Sequence, residues 1–209
     1  MHPRLTTPTA ITESIQKFSN SLASTEVPVL VAVRSGKKDD LGDCFVNVQK
    51  MVESRGGEIV YGWAIFELPK LLLEAQFHAV WRAPDGELVD VTKTDDKAQT
   101  TLFLADNKLA YEGKIIPSRQ LALSDDCSVA RLIIASQAVW EHQAKFQVDM
   151  GDDQVGFTEQ EHVNEHHRLE ELRLSALNRL FDTLAGAAKV SRSQPCSCGS
   201  GKKYKKCCG

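Results

Sequence analysis

Three residues in the first half of the chain have the chemistry of a nucleophilic site: Cys44, His78 and Asp90. A cysteine thiolate attacks acyl carbon atoms, a histidine transfers the proton, and a carboxylate orients the histidine. Cys44 lies at the predicted start of a helix, where the positive end of the helix dipole favours ionisation of a thiol. Backbone N–H groups at the same helix start would hold an oxyanion. We therefore predict a Cys–His–Asp site for acyl chemistry.

The turn between two predicted strands sets the relative position of His78 and Asp90. Residues 83–87 fit a three-residue hairpin loop, with a type I turn followed by Gly86 in the left-handed conformation. In that register the numbers of paired residues sum to 170, so Asp90 and His78 are diagonal neighbours on one polar face. Diagonal neighbours lie about 7–8 Å apart at the backbone, within reach of a carboxylate–imidazole hydrogen bond. The opposite face is apolar and is predicted to belong to the core: Phe77, Ala79, Trp81, Val89 and Val91.

Each of the three residues also has a structural interpretation, which the sequence leaves open. A lone cysteine is often a small buried hydrophobic residue. A histidine beside a tryptophan often serves packing, and an aspartate on a strand often serves solvation. A metal site that uses the same three residues is a third alternative.

Four further cysteines fall within thirteen residues near the end of the sequence: Cys196, Cys198, Cys207 and Cys208. Zinc accepts four thiolates tetrahedrally at about 2.3 Å each, and the glycine-containing segment 199–201 lets the two pairs meet. So short a segment cannot bury a core, so metal binding would supply its folding energy. We predict one structural Zn²⁺ ion, with iron as the alternative metal.

Residues 195–209 resemble the SEC-C zinc motif, which occurs at the carboxyl end of the SecA translocase ATPase and in many small bacterial proteins. The four cysteines match its ligand positions, and Cys208 stands where SecA usually has histidine. The resemblance implies a zinc-stabilised docking element that, in relatives, contacts the chaperone SecB or the ribosome. The segment also carries Tyr204 and four lysines, which predict contact with ribosomal RNA or an acidic chaperone surface. These lysines are Lys202, Lys203, Lys205 and Lys206.

Residues 40–94 resemble the transglutaminase-like and papain-like cysteine enzymes. The resemblance implies helices packed on a mainly antiparallel sheet, and a catalytic triad of Cys44, His78 and Asp90. It implies a thiol-dependent hydrolase or acyl transferase that acts on an amide or ester. The resemblance does not identify the substrate, for which we expect a protein or peptide. That core also hosts binding modules, so the competing function is a non-enzymatic adaptor. The matching elements are Gly42-Asp43-Cys44, His78-Ala79-Val80-Trp81 and Asp90-Val91-Thr92.

The pattern of helices and strands predicts an α+β domain over residues 1–185, a linker over 186–194 and the tail over 195–209. We expect a loop at 149–153 and weaker strands within 99–123. Helices are predicted over 9–24 with Thr9 as cap, 43–54 with a stop at Arg55-Gly56-Gly57, 124–147 and 158–185. Strands are predicted over 27–33, 58–68, 71–82 and 87–92.

Three histidines on the last predicted helix form a second candidate metal site. His162 and His166 have the i, i+4 spacing of metal ligands, next to His167, Glu161 and Glu165. The segment lacks the glutamate placement of a zinc protease, so we expect a solvated polar face here.

The composition supports a globular protein with two functional parts. With 209 residues, 42% hydrophobic and 25% charged, the chain is neither disordered nor fibrous. No apolar run approaches the ~18 residues of a membrane span, and the first residues lack the apolar region of a signal peptide, so we expect a cytoplasmic protein. The net charge is −3, but residues 189–209 carry six basic and no acidic residues, which leaves −9 for the rest.

Overall fold

The computed structural model describes residues 4–22, 26–35, 44–93, 98–114, 116–151, 154–184, 193 and 202–207. Its helices are α1 (Glu13–Ser21), α2 (Cys44–Arg55), α3 (Cys127–Phe146) and α4 (Gln160–Leu184), followed by a short 3₁₀ helix (Tyr204–Lys206). Its strands are β1 (Val29–Val33), β2 (Glu58–Leu68), β3 (Leu72–Arg82), β4 (Leu88–Asp90), β5 (Thr100–Ala105), β6 (Arg119–Ala122), β7 (Val148–Gly151) and β8 (Gln154–Gly156). The mixed α+β class that the sequence predicts is confirmed.

The described residues divide into two compact units. The sheet unit consists of Arg4–Pro69 and Leu73–Glu112, and it contains Cys44, His78 and Asp90. The helical unit consists of Lys70–Leu72 and the described residues from Gly113 onward. The predicted boundary at residue 185 and all but one position of the predicted linker 186–194 lie outside the described residues, so they stay predictions.

The sheet unit is built on five strands that close on themselves. Their order is β2-β5-β1-β4-β3, and β3 pairs with β2 as well. The β1–β4 pairing is parallel, whereas β1–β5, β2–β5 and β3–β4 are antiparallel. The sheet is thus mainly antiparallel, as the sequence predicts.

The closed sheet has buried side chains on both of its faces. Val31, Val80 and Phe103 pack together on one face. On the other face the first two turns of α2 pack against the residues that the sequence assigned to the core. This cluster contains Cys44, Val48, Ala79, Trp81, Val89 and Val91. Because side chains alternate along a strand, His78 and Asp90 lie on the same face of the sheet as Val80. The polar face that the sequence predicted therefore lies inside the closed sheet.

The hairpin that joins β3 and β4 has the predicted register. Trp81 pairs with Val89 and Arg82 with Leu88, so the paired numbers sum to 170. The turn is closed by a hydrogen bond from the N–H of residue 83 to the carbonyl of residue 87, at 2.9 Å. Gly86 has φ +92°, the left-handed conformation that this loop requires.

Helix α2 ends at the predicted glycine pair. The N–H of Gly56 donates to the carbonyl of Val52 at 2.8 Å, and both glycines have positive φ. The indole N–H of Trp81 then donates to the carbonyl of Gly56 at 2.9 Å. A side chain at Gly57 would meet the carbonyl oxygen of Arg82 at 2.2 Å. This close approach holds the end of α2 against β3.

The first helix is shorter than the sequence predicts. Thr12, rather than Thr9, caps it, because the Thr12 hydroxyl accepts a hydrogen bond from the N–H of Ile15 at 3.3 Å. Ile15 and Phe18 are buried, whereas Ile11 is exposed and lies outside the helix. Periodicity alone placed the start too early, since the capping hydroxyl decides where the helix begins.

In the helical unit, α3 and α4 make most of the contacts between elements. The Asp126 carboxylate caps α3 by accepting from the N–H of Ser128 at 2.8 Å, and α3 lies within the predicted range 124–147. The loop predicted at 149–153 is wrong for residues 149–151, which belong to β7 and pair with β8, with Val148 opposite Gly156. Residues 152 and 153 lie outside the described residues. Two strands of three and four residues are too short to show an alternating pattern. Within the part of the chain that the structure describes, no helix is long and apolar enough to cross a bilayer.

Candidate active site

The structure brings Cys44, His78 and Asp90 together from three elements of the sheet unit. Cys44 is the first residue of α2, His78 lies within β3, and Asp90 is the last residue of β4. Nε2 of His78 lies 2.9 Å from Oδ2 of Asp90. Cys44 also lies close enough to the same imidazole to raise its pKa. Their catalytic role stays a prediction.

Three donors hold the carboxylate of Asp90, which is completely buried. Oδ1 accepts from the backbone N–H of Thr92 at 2.9 Å. Oδ2 accepts from the hydroxyl of Thr101 at 2.6 Å and faces His78. An ionised carboxylate can only accept hydrogen bonds, so all three neighbours must act as donors. The arrangement suits an ionised Asp90.

The electrostatics of the pair favour charge on both partners. Burial alone would raise the pKa of Asp90, but the hydrogen bond and charge of His78, with the bonds from Thr101 and Thr92, hold that pKa below its usual value. Burial alone would lower the pKa of His78, but hydrogen bonds and charge from Asp90 and Cys44 outweigh burial and raise that pKa to about 10. An imidazolium therefore lies between a carboxylate and a sulfur at neutral pH.

The candidate nucleophile is nearly covered. Cys44 is 4% exposed, and it forms no disulfide. Cys127, at the start of α3, is more exposed. Exposure alone would therefore make Cys127 the more reactive of these two cysteines.

Sequence reasoning missed two polar residues that support the site. Thr101 lies on β5, in a segment whose sequence pattern predicts a strand only weakly. The two adjacent β-branched residues, Thr100 and Thr101, were the available signal for a strand there. Asn47 lies one turn after Cys44 and donates from its side-chain amide to the hydroxyl of Thr92 at 3.4 Å. The i, i+3 spacing from Cys44 was the available signal for Asn47, since it places both side chains on one face of α2.

Two histidines of the second candidate site, His162 and His166, are half-buried rather than solvated, which corrects the sequence expectation in part. His142 of α3 is buried, and its ring lies 5.7 Å from that of His162 and 6.2 Å from that of His166, between centroids. Phe146 stacks on His162 at 3.8 Å, so an aromatic contact covers part of the predicted polar stripe. His167 is exposed. Among the described residues, no group of three or more His, Cys, Asp or Glu side chains is arranged to hold a metal ion.

The cysteine tail is described only in part. Lys202–Cys207 is visible, with Tyr204–Lys206 in the 3₁₀ turn and Cys207 exposed just after it. Cys196, Cys198 and Cys208 lie outside the described residues, so the predicted zinc ligand set stays a prediction. The four lysines of the segment are exposed, and Tyr204 is half-buried.

Comparison with known proteins identifies a motif in the tail. Residues 192–209 match the SEC-C motif, which confirms the resemblance of the tail. The chain is 78% identical over 23 residues to the protein translocase subunit SecA of Dichelobacter nodosus, covering 11% of this chain and 2% of that protein. It is 43% identical over 58 residues to the SecA subunit of Syntrophus aciditrophicus, covering 22% of this chain and 7% of that protein.

A short relative shares the same kind of match. The chain is 68% identical over 25 residues to a UPF0225 protein of Geobacter sulfurreducens, covering 12% of this chain and 16% of that protein. This chain thus spans a small fraction of the length of these curated relatives. No solved structure matches the chain. A SEC-C motif is therefore shown, whereas the transglutaminase-like fold is not confirmed.

Proposed function

We propose that the sheet unit is a thiol-dependent hydrolase or acyl transferase that acts on an amide or ester bond. The observation that carries the proposal is the connected set Cys44–His78–Asp90, with 2.9 Å between the imidazole and the carboxylate. An imidazole that is protonated at neutral pH stabilises a neighbouring thiolate, which is the form of cysteine that attacks carbonyl carbon. If the tail docks the enzyme on another macromolecule, a protein or peptide is the substrate class that fits.

The proposed reaction has two halves. The Cys44 sulfur forms a bond to the acyl carbon, and the carbonyl electron pair moves onto oxygen. His78 then gives its proton to the leaving amine or alcohol as the C–N or C–O bond breaks. Water or an acceptor amine attacks the resulting thioester while His78 accepts its proton, and the C–S bond breaks to restore the thiolate. Asp90 holds the imidazole in place and remains ionised throughout.

The start of α2 suits the oxyanion of this reaction. The first N–H groups of an α-helix have no carbonyl partner within the helix, and they point out of its N-terminal end. Those of Cys44 and Phe45 are in the first turn, next to the attacking sulfur. Such donors stabilise the negative oxygen of a tetrahedral intermediate.

Alkylation by iodoacetamide tests the proposal within one protein. At pH 7, in the presence of zinc, we expect Cys44 to react faster than Cys127, although Cys44 is the less exposed thiol. The rate at each site is measured by mass spectrometry of the modified peptides, with Cys44→Ser to identify the signal. His78→Gln should slow the reaction at Cys44 and leave Cys127 unchanged. If Cys127 reacts faster in the unaltered protein, the site is not an activated thiol.

The alternative function is a non-enzymatic adaptor, and the SEC-C motif at residues 192–209 is the observation that favours it. In that case the sheet unit binds a protein and the tail docks on the translation or secretion machinery. The alkylation experiment separates the two, because an adaptor needs no activated Cys44.

For either function we propose that the tail is a zinc-ordered docking element. Four cysteine thiols in thirteen residues fit Zn²⁺, which would supply structural order and no chemistry. Cys196, Cys198, Cys207 and Cys208 would be the ligands. The exposed lysines on either side of Tyr204 then present positive charge on a chain whose residues 1–188 sum to −9. The partner that fits is an anionic surface, and ribosomal RNA is the first to test.

Co-sedimentation with ribosomes tests the docking proposal. Each lysine displaces about one counterion from RNA, so binding should weaken steeply with salt. The double variant Lys203→Glu, Lys205→Glu should bind less and show a smaller salt slope, whereas a matched Lys17→Glu, Lys50→Glu variant should bind as the unaltered protein does. Equal binding by all three would show that the tail is not the ribosome-docking element. If the unaltered protein does not sediment, the partner is an acidic protein surface instead.

A further inference from the structure

The contact between Thr101 and Asp90 joins two strands that are not neighbours in the sheet. Thr101 pairs with Val31 of β1, and β1 in turn pairs with β4, where Val33 lies opposite Asp90. The hydroxyl of Thr101 therefore reaches the carboxylate past an intervening strand, inside the closed sheet. Thr101 is 1% exposed, so water cannot substitute for the hydroxyl from outside.

The hydroxyl of Thr101 binds the same carboxylate oxygen that faces His78. Oδ2 of Asp90 lies 2.6 Å from the Thr101 oxygen and 2.9 Å from Nε2 of His78. Oδ1 is held separately by the N–H of Thr92. Thr101 thus contacts the oxygen that acts on the imidazole, whereas Thr92 anchors the other one.

We infer that Thr101 is a positioning residue of the candidate site, whose hydroxyl keeps Asp90 ionised and turned towards Nε2 of His78. The inference rests on the proposed function for its consequence at Cys44, but the contact with His78 can be tested without it. Without the hydroxyl, a fully buried carboxylate loses one of its three donors and takes up a proton more readily. A protonated Asp90 no longer supports the imidazolium.

The matched variants are Thr101→Val, which removes the hydroxyl at nearly constant shape, and Thr101→Ser, which keeps the hydroxyl and removes a methyl group. Thr100→Val serves as the control, because residue 100 lies on the same strand and points to the opposite face. Near-ultraviolet circular dichroism establishes that each variant keeps the packed sheet unit. Retained packing in Thr101→Ser keeps the comparison informative if Thr101→Val does not fold.

Two readouts separate this inference from the proposed function. The first is the titration midpoint of the His78 ring, measured by NMR of labelled imidazole. Thr101→Val should lower it by about one unit or more, which corresponds to the loss of one hydrogen bond to a charged group, whereas Thr101→Ser and Thr100→Val should leave it in place. The second is the rate of Cys44 alkylation at pH 10, where a midpoint lowered from about 10 to about 9 cuts the imidazolium fraction from about one half to about one tenth, so the rate should fall about fivefold in Thr101→Val only.

Opposite results have different meanings for the two proposals. An unchanged His78 midpoint in Thr101→Val would overturn the positioning role, and so would an equal shift in Thr101→Ser, which would indicate methyl packing instead. If Cys44 of the unaltered protein is no more reactive than Cys127, the proposed function fails. A lowered His78 midpoint in Thr101→Val would still support the positioning role in that case.

Discussion

Replacing Asp90 with Asn is the sharpest test of the electrostatics in the sheet unit. The amide nearly keeps the shape of the carboxylate but removes its charge, and it can present an N–H to Nε2 of His78. Burial then lowers the pKa of His78, and only Cys44 still raises it. We expect the pKa of His78 to fall from about 10 towards or below 6.5, its ordinary value.

The size of the effect follows from these two values. At pH 8, a group with a pKa of about 10 is roughly 99% protonated, whereas one with a pKa of 6.5 is roughly 3% protonated. The imidazolium beside Cys44 should therefore become about thirty times rarer at this pH. The rate of Cys44 alkylation at pH 8 should fall by a similar factor if the imidazolium activates the thiol.

The same change should alter how stability depends on pH. A native-state pKa raised to about 10 makes protonated His78 a stabilising group. Its contribution to the free energy of unfolding is fully present below about pH 6.5 and is lost as the pH rises through about 10. Asp90→Asn should remove this loss, so the unfolding free energy of the variant should vary less between pH 7 and 10. Urea unfolding of both proteins at several pH values measures this dependence of the unfolding free energy on pH.

The assay needs one assignment and one control. NMR titration of the six histidines, with His78→Gln to assign the signal, gives the fraction of imidazolium at each pH. Asp106→Asn is the matched control, because Asp106 is also a buried aspartate of the sheet unit, where it accepts from the N–H of Lys108 at 3.1 Å. If His78 stays fully protonated at pH 8 in Asp90→Asn, the carboxylate does not set its charge and the reasoning is refuted.

Three other predictions concern separate parts of the chain. The pKa of His142 is lowered by burial and by neighbouring histidines, so its neutral form contributes stability above about pH 6.5 that is lost as the pH falls. In His142→Phe, the free energy of unfolding measured in urea should therefore change less between pH 7.5 and 5.5. Gly57→Ala should lower the free energy of unfolding by more than Gly86→Ala. Both glycines have positive φ, but only at Gly57 would a side chain meet the backbone, at 2.2 Å. Equal losses would mean that the backbone near Gly57 moves to make room for the added side chain. Zinc analysis should find one ion per chain. Cys207→Ser should bind zinc more weakly, with an unchanged circular dichroism spectrum of the remaining chain. An unchanged zinc affinity would exclude this cysteine as a ligand.

Much of the candidate site could be predicted because its key relations are local in sequence. The turn at 83–87 fixes the register of β3 and β4, so the relative position of His78 and Asp90 follows from turn geometry and strand parity. The position of Cys44 near the start of α2 follows from helical periodicity, and the end of the helix follows from the glycine pair at 56 and 57. The tail is recognisable because the metal-ligand spacing of its cysteines lies within a few residues.

The remaining features depend on contacts between distant segments, which no local pattern records. Closure of the sheet places β5 across from β4, and only that closure brings the hydroxyl of Thr101 to Asp90. Closure also turns the polar face of the hairpin inward, where burial gives His78 and Asp90 their shifted pKa values. The burial of His142 likewise requires the packing of α3 on α4. The sequence by itself determined the elements and the identity of the reacting groups, whereas the tertiary structure decided their environment, because burial and charge depend on every segment that packs around them.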